Sequence, residues 1–342
     1  MIQKIRISIG SASKLGLRKI SMDAFPTNIH LLTYNSGGCV ANCAFCPQSR
    51  YTFKKLEQIP NSQKFLSRVN WPIFSFPKLL DILKTRFPKP GMDPAEEFQR
   101  ICIQSLNYPK FSDEVLEILK SISSITNIPI SLAIPPVKDE FIYQYKESGA
   151  ERICFALDAS TPKLFTNIKG KGNSGPYVWE KHIERLQRAV QIFGKGYTTT
   201  HLIIGFGESE YDALHLIYKL KKMGILTGLF PFCPIKNTKF EDHNKPSIRQ
   251  FRIIQLGKYL IDTSTKSFED FQFSESGSLI SYNISQQRLQ DIINTGIPFL
   301  TSGCPGCNRP YYTSSPSEEQ YNFPRSLTTS EKKKILKEIK LN

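Results

Sequence analysis

Apolar runs and amphipathic stretches alternate along most of the chain. Eight short apolar runs, rich in β-branched residues, have the pattern of buried strands: residues 29–34, 100–106, 129–134, 152–157, 197–205, 227–232, 268–273 and 297–302. Between these runs, apolar residues recur every three to four positions in six stretches that we predict to be helices: residues 113–125, 138–148, 177–193, 208–223, 247–262 and 286–294. This alternation predicts parallel strands joined by right-handed crossovers.

Eight strand–helix units are typical of a closed (β/α)₈ barrel, whose functional residues gather at the carboxyl ends of the strands. We therefore predict an α/β fold, a single-domain TIM-type barrel over residues 29–325, which includes a cysteine knuckle near its end. Residues 1–28 form an N-terminal extension, and residues 326–342 form a basic helical tail. An open doubly wound sheet is the alternative, because the run 268–273 is a weak strand. Two long connections lack periodicity and are predicted to be irregular: residues 35–76 and 87–99.

The composition is that of a globular protein. Of 342 residues, 40% are hydrophobic and 22% are charged, which is enough apolar material for a core and excludes a disordered chain. We expect a cytoplasmic protein without membrane association, because the sequence has no signal-peptide pattern and no apolar run near the ~18–20 residues of a membrane span. The net charge of +15 favours acidic partners, either proteins or nucleic acids.

The eight cysteines are clustered, and the first group follows the first predicted strand. Cys39, Cys43 and Cys46 have a C-x₃-C-x₂-C spacing within the segment GGCVANCAFCPQ. Three thiolates on one tight loop can hold three corners of an iron–sulfur cube, which leaves one iron without a protein ligand. The alternative is a structural zinc site, which normally needs four ligands. We predict that these three residues are metal ligands at the catalytic centre.

This loop resembles the cluster-binding motif of the radical S-adenosylmethionine (SAM) superfamily, including the aromatic Phe45 before the last cysteine. In that superfamily the open iron of a [4Fe-4S] cluster binds the amino and carboxylate groups of SAM. Reductive cleavage then gives a 5′-deoxyadenosyl radical, which abstracts hydrogen from an unactivated carbon. The resemblance thus implies a [4Fe-4S] cluster and SAM as cofactors, and an electron donor such as ferredoxin.

Further residues match the positions with which this superfamily holds SAM. The segment HLIIGFGE is similar to its G-x-I-x-G-x-x-E pattern, except that His201 stands in place of the first glycine. Asp158, in the ALD that ends the fourth strand, resembles the acid that binds the ribose hydroxyls; a helix cap is the alternative role. The resemblance implies six cosubstrate-binding residues: Phe45, Asp158, His201, Ile203, Gly205 and Glu208.

A second cysteine group follows the last predicted strand. Cys304 and Cys307 have a C-x₂-C spacing in TSGCPGCNRPYY, which suits zinc or an iron–sulfur cluster equally well. Two ligands are not a complete site. Cys102 is the strongest third candidate, since it ends strand two and the mouths of strands two and eight converge in a closed barrel. Cys154 and Cys233 lie further away in that arrangement, and each could be a small buried residue.

The whole pattern resembles the biotin and lipoyl synthase branch, and most closely the biotin-synthase-like subunits of archaeal two-subunit lipoyl synthases. The similarity extends over residues 5–325 and includes RISIGSA, LSRVNWP, RICIQSLNYP and SGCPGCNRPYY. Biotin synthase itself is disfavoured, because its second cluster uses cysteines where this chain has Ser131 and Thr199. Single-chain lipoyl synthase is disfavoured, because no cysteine triplet precedes Cys39.

The resemblance implies a sulfurtransferase. A second iron–sulfur cluster would donate sulfur to the octanoyl chain of an acidic lipoyl-carrier domain, and a partner radical SAM subunit would attach the other sulfur. The alternatives are another radical SAM sulfurtransferase, either biotin-synthase-like or acting on tRNA, and a non-enzymatic zinc module that binds nucleic acid. A nucleic-acid substrate is disfavoured, because no appended RNA-binding domain is visible after residue 325.

Overall fold

A mostly parallel, eight-stranded sheet forms the centre of the protein. The computed structural model describes residues 2–58, 71–89, 97–315 and 317–339. Among these residues, the main sheet contains β1 Lys4–Ile7, β2 Asn28–Thr33, β3 Ile73–Ser75, β4 Arg100–Gln104, β5 Ile130–Ala133, β6 Ala150–Cys154, β7 Thr198–Ile204 and β8 Ile225–Pro231. Their order is β3-β1-β2-β4-β5-β6-β7-β8. Strands β2 and β4 to β8 are parallel, whereas β1 is antiparallel to both of its neighbours.

Helices alternate with the parallel strands, as the sequence predicts. The described helices are α1 Ile9–Lys14, α2 Arg50–Glu57, α3 Phe76–Arg86, α4 Phe111–Ser123, α5 Asp139–Glu147, α6 Pro162–Ile168, α7 Trp179–Phe193, α8 Glu210–Lys222, α9 Ile248–Asp262, α10 Gln286–Thr295 and α11 Thr329–Glu338. The six predicted helices are confirmed as α4, α5, α7, α8, α9 and α10. Side-chain caps fix several starts: the Ser247 hydroxyl, for example, accepts a hydrogen bond from the Gln250 N–H at 3.1 Å. No described helix is long and apolar enough to cross a bilayer.

The two faces of the parallel sheet differ sharply in polarity. Side chains alternate along each strand, so one set faces the helices and the other faces the interior of the curved sheet. Helix-facing residues such as Leu31, Ile103 and Leu132 are apolar and fully buried. The interior-facing set is mainly polar: His30, Cys102, Gln104, Ser131, Cys154, Thr199 and His201. The apolar core therefore lies between the sheet and the helices, and the polar interior of the sheet is available for a binding site.

The predicted α/β, TIM-type fold class is confirmed, but two of the eight predicted strands are wrong. Within 268–273 only Gln272–Phe273 (β9) is extended, and it pairs with Leu279–Ser281 (β10) outside the main sheet. Within 297–302, Ile297–Phe299 is a 3₁₀ turn, and Leu300 makes a single bridge to Phe323. Pro298 lies in this turn and has no N–H to donate to a ladder, which disfavours a central strand there.

The places of those two strands in the main sheet are taken by β1 and β3. Strand β1 lies within the predicted extension 1–28, and β3 lies within the predicted irregular connection 35–76, which also contains α2. The domain limits themselves stay a prediction. Parts of several predicted segments lie outside the described residues: 59–70, which includes most of the LSRVNWP motif, 90–96 and 340–342.

The open side of the sheet is bridged by a loop, residues 301–312, which we name the strap. Among the described residues, the strands at the two ends of the sheet do not pair with each other. Instead, the N–H of Leu229 in β8 donates to the Ser302 hydroxyl at 3.0 Å. At the far end of the strap, the Asn308 side-chain oxygen accepts the Thr27 N–H, next to β2, at 2.9 Å. The strap thus spans the gap between β8 and the start of β2 without adding a strand, and among the described residues strand pairing does not close the predicted barrel.

These hydrogen bonds generate a stability prediction. Asn308→Ala should lower the free energy of unfolding by about 1–3 kcal/mol, because it leaves partly buried backbone groups beside Thr27 without partners. The measurement is urea unfolding, with the exposed Asn244→Ala as control, which should change stability by less than about 0.5 kcal/mol. Equal stabilities of the two variants would show that the strap is not held as described.

Candidate active site

The three-cysteine loop follows β2 directly and folds into tight turns. The N–H of Cys46 donates to the Cys43 carbonyl at 3.1 Å, and the Asn107 N–H donates to the Cys39 sulfur at 3.4 Å. The loop therefore presents its three thiols from turns that are fixed by backbone hydrogen bonds.

A close approach at Gly38 fixes how the chain enters this loop. Gly38 has a φ of +71°, which favours glycine. A β-carbon at this position would lie 2.5 Å from a ring carbon of Phe53 in α2. Only glycine lets the loop pack against α2 in this way.

The chemistry of the three thiols fits an iron–sulfur cluster. All three cysteines are free, and burial raises the pKa of each, that of Cys43 to about 12. Metal ligation stabilises the thiolate form that burial disfavours. Among the described residues, no three His, Cys, Asp or Glu side chains converge on a position for one metal ion. A cubane cluster places each thiolate on a different iron, so its ligands need not converge.

A cavity of about 310 Å³ opens beside the three-cysteine loop at the carboxyl ends of the strands. Its polar and sulfur-bearing lining includes Cys43, Cys46, Gln104, Cys154, Asp158, Lys169 and His201. Its apolar lining includes Leu32, Trp71, Leu106, Ile134, Pro135 and Pro136. The site therefore combines cysteine ligands, a charged pair and an apolar wall.

Asp158 lies in the cavity wall, where it forms a buried ion pair. Its backbone has a φ of +66° and continues the sheet beyond β6: its N–H donates to the His201 carbonyl at 2.8 Å. Its carboxylate accepts a hydrogen bond from the Lys169 ammonium at 2.6 Å, and the exposed fractions of the two side chains are 11% and 5%. The predicted ribose-binding acid is thus held in place by a cation.

Lys169 is a site residue that the sequence analysis missed. Its ammonium also donates to the Ala156 carbonyl at 2.6 Å and lies 5.0 Å from the Tyr177 ring centroid. Burial alone would lower the pKa of Lys169, but Asp158 and the Cys43 thiol hold it above the usual value. Lys169 begins the KGKG segment, which belongs to the sequence resemblance but carried no assigned role.

The predicted residues of β7 are divided between the cavity wall and the turn that follows the strand. His201 and Ile203 line a second cavity, of about 230 Å³, that also contains Phe45 and Asp158. The His201 ring packs edge-on against the Phe230 ring, with ring centroids 4.9 Å apart. Burial lowers the pKa of His201 to about 3, so its ring is neutral. This second cavity lies between the cysteine loop and Asp158, which is where the family resemblance predicts that SAM binds.

The remaining two predicted residues shape the turn itself. The Glu208 carboxylate accepts hydrogen bonds from the N–H groups of Gly205, at 2.6 Å, and Phe206, at 3.0 Å. Gly205 has a φ of +122°, and a β-carbon there would lie 2.7 Å from the Pro246 side chain. The structure thus gives Glu208 a positioning role within its own loop, while Phe206 packs against Phe45, with ring centroids 5.5 Å apart.

The second cysteine group assembles in the barrel interior. The strap places Cys304 and Cys307 near Cys102 of β4, and the Ser131 hydroxyl contacts the Cys304 sulfur at 3.8 Å. Burial and the thiols of Cys304 and Cys307 raise the pKa of Cys102 well above its usual value. The structure also brings in Cys154, which lies near both Cys102 and Cys304. Cys233 lies instead in the wall of the second cavity.

Buried polar groups without partners surround this second cysteine group. Within the described part of the chain, both ring nitrogens of His30 and the Nε of Arg309 make no hydrogen bond. His30 is aligned with Cys102 across the β2–β4 ladder, and Arg309 lies near the thiols of Cys102 and Cys307. Because buried polar groups normally have partners, this set fits a polar occupant such as a second iron–sulfur cluster.

Comparison with known proteins identifies the family. Residues 35–220 match the sequence profile of the Radical SAM superfamily. The chain belongs to this superfamily. Membership confirms the predicted [4Fe-4S] cluster and SAM, for which this radical SAM protein offers the three-cysteine loop and the adjoining cavities.

Curated relatives of this radical SAM protein are biotin synthases. That of Hydrogenobaculum sp. (strain Y04AAS1) is 26% identical over 239 residues, which cover 67% of this chain and 63% of the relative. That of Aquifex aeolicus (strain VF5) is 23% identical over 251 residues, which cover 70% and 66%. The alignments therefore span less than two thirds of these relatives. They confirm the resemblance to the biotin synthase branch.

A solved structure with the same fold is the FeFe-hydrogenase maturase HydG from Carboxydothermus hydrogenoformans. It matches with a TM-score of 0.50 at 18% sequence identity, covering 69% of this chain and 51% of that chain. This likeness concerns the fold alone. It agrees with the mostly parallel, TIM-type sheet described above.

The buried ion pair generates the second prediction. Lys169→Met should lower the free energy of unfolding by about 3–5 kcal/mol, because it leaves the Asp158 carboxylate buried and unpaired. Lys169→Met/Asp158→Asn should recover part of that loss, since no buried charge remains. Chemical denaturation of the two variants measures the difference. The prediction is contradicted if the stability losses caused by Lys169→Met and by Asp158→Asn simply add in the double variant. Additive losses would mean that the two side chains are not coupled.

Proposed function

We propose that this radical SAM enzyme inserts sulfur into the octanoyl chain carried on a lysine of a lipoyl-carrier domain. One observation supports this most strongly: the cavity beside the three-cysteine loop extends to a cysteine that lies next to the second group. Cys43 and Cys46 of the three-cysteine loop line the cavity. Cys154 lines it as well and lies near Cys304 of the second group.

Each cysteine group has the donors that its cofactor needs. In this proposal Cys39, Cys43 and Cys46 hold the [4Fe-4S] cluster that binds SAM, and Cys102, Cys304 and Cys307 hold a second iron–sulfur cluster. When bound, these groups supply a radical that removes hydrogen from an unactivated carbon and a sulfide that replaces it. The remaining residues position the substrate and the cosubstrate between the two groups.

The protein's own side chains define what can enter this space. The Lys169–Asp158 pair fixes a carboxylate for the ribose hydroxyls of SAM, at the junction of the two cavities. The apolar wall, which includes Leu32, Ile134 and Pro136, suits an alkyl chain and excludes water from the reacting carbon.

A groove of about 560 Å³ continues toward the surface from the 310 Å³ cavity beside the three-cysteine loop. The two share Pro136, Tyr177 and His182, and the groove adds apolar residues, among them Val137 and Phe141. A long, thin acyl-lysine arm would fit such a path better than a compact, polar substrate would. This shape supports an octanoyl chain that is presented by a carrier domain.

The partners follow from the same proposal. An acidic carrier domain would be steered by the net charge of +15. A partner radical SAM subunit would attach the other sulfur, so that this chain alone would yield a singly thiolated product.

A biotin-synthase-like reaction on a small molecule is the second candidate, and the identity of the curated relatives favours it. Against it, Ser131 and Thr199 stand where the resemblance expects cysteine ligands of the biotin synthase cluster. In the structure Ser131 instead contacts the Cys304 sulfur. The substrate assay below separates the two candidates.

The test uses the full chain, reconstituted with iron and sulfide, together with SAM, dithionite and an octanoylated carrier peptide. Wild type should form 5′-deoxyadenosine and increase the peptide mass by one sulfur atom. Cys304→Ala/Cys307→Ala should still cleave SAM but transfer no sulfur, because only the second cysteine group is lost. Ser276→Ala/Ser278→Ala, an exposed pair that lines neither cavity, is the matched double control and should transfer sulfur normally.

Two results would contradict the proposal. Undiminished sulfur transfer by the Cys304→Ala/Cys307→Ala variant would refute the donor role of the second group. In parallel reactions, dethiobiotin or tRNA replaces the peptide; sulfur found in either of them, with none in the carrier peptide, would refute the substrate and favour one of the alternatives.

A further inference from the structure

An exposed surface of basic and apolar side chains lies over the three-cysteine loop. We name it the cluster-side patch and define it by Val40, Arg50, Tyr51, Lys54, Lys171 and Lys239, all of which are exposed. Val40 and Tyr51 are 45% and 39% exposed. Residues 35–56 and 169–179 contain no Asp or Glu. The patch therefore combines four cations with two exposed apolar groups.

Direct contacts join the parts of the patch into one surface. The Arg50 guanidinium donates to the Ser174 carbonyl at 3.1 Å. The Lys239 ammonium donates to the Asn173 side-chain oxygen at 2.6 Å and lies 5.4 Å from the Tyr51 ring centroid. Three segments that are distant in sequence are thereby held side by side.

The patch is also fixed rigidly to the cysteine loop. The Asn42 side chain donates to the Asn173 carbonyl at 2.7 Å and accepts the Tyr51 N–H at 3.0 Å. Asn42 is buried and immediately precedes Cys43, while Val40 immediately follows Cys39. A protein bound at this patch would therefore lie next to two of the three ligands of the predicted cluster.

We infer that the cluster-side patch docks an acidic one-electron carrier protein of the ferredoxin type. This inference rests on the proposed function, since it assigns the route by which the enzyme is reduced. One electron leaves the reduced carrier, which is oxidised, and enters the cluster held by Cys39, Cys43 and Cys46, which is reduced; no bond breaks in this step. Electron transfer weakens steeply with distance, so docking next to the ligands is favoured.

The composition of the patch suits a protein partner. Cations steer an acidic partner, and exposed apolar side chains such as Val40 and Tyr51 supply the desolvated centre of an interface. At the edge, Glu241 pairs with Lys55 at 3.0 Å and neutralises it. Asp242 also lies near Lys55, whereas the segments 35–56 and 169–179, which carry three of the four cations, contain no acid.

The test compares a protein reductant with a small one. The full-length enzyme is reconstituted, and 5′-deoxyadenosine formation is measured with reduced bacterial 2[4Fe-4S] ferredoxin or with dithionite. Lys54→Glu/Lys171→Glu should raise the KM for ferredoxin by about tenfold or more at low salt, because it reverses two charges of the patch. With dithionite the variant should match wild type. The control, Lys333→Glu/Lys337→Glu, reverses two exposed charges of α11 and should match wild type with both reductants.

Ferredoxin binding, measured without turnover, gives an independent readout. The Lys54→Glu/Lys171→Glu variant should bind ferredoxin about tenfold more weakly than wild type, and unchanged binding would overturn the inference. The inference would also be overturned if wild type bound tRNA and not ferredoxin, and if the Lys54→Glu/Lys171→Glu variant lost that binding. Such a result would assign the patch to RNA. Failure of the wild type to cleave SAM with dithionite would overturn the proposed function instead, and the binding measurement would still decide the docking site.

Discussion

The strap is the constraint on which the rest of the structure depends. The parallel strands curve around an interior that they do not close, and hydrogen bonds at Ser302 and Asn308 draw the strap across the gap. The same loop carries Cys304 and Cys307. The hydrogen bonds that hold the strap across the gap therefore also position the second cysteine group. If a further regular strand occupied this place, the knuckle would lie beyond a strand end and not beside Cys102.

The alternation of side chains along the strands explains why chemistry is possible inside such a sheet. Helix-facing positions provide the apolar core, which allows the interior to be polar at several strands. Buried polar groups such as those of His30 and Arg309 are costly without partners. Their cost is offset if a polar cofactor fills the space that they surround. The polar interior is thus best explained as a binding site.

Local features of the site were predictable from the sequence, and contacts across the fold were not. The spacing of Cys39, Cys43 and Cys46 predicts their proximity, because a short loop keeps them close whatever surrounds it. Cys102 was expected at a strand end, but it lies at the centre of β4 and reaches the second group because its side chain faces the interior of the sheet. By contrast, the pairing of Lys169 with Asp158 depends on how α6 returns the chain to the cavity, and no periodicity encodes that return. The strands β1 and β3 have only four and three residues, too few for a clear alternation. Pro298 has no N–H to donate, and this is a sequence signal against a central strand at 297–302.

The most direct test of two cysteine groups holding two clusters is metal analysis. Iron, sulfide and zinc per chain are measured after anaerobic reconstitution of wild type and of Cys39→Ala/Cys43→Ala/Cys46→Ala. Two cubane clusters predict about eight irons per chain in the wild type and about four in the variant. Zinc in place of iron, or iron that vanishes entirely in the variant, would contradict the account.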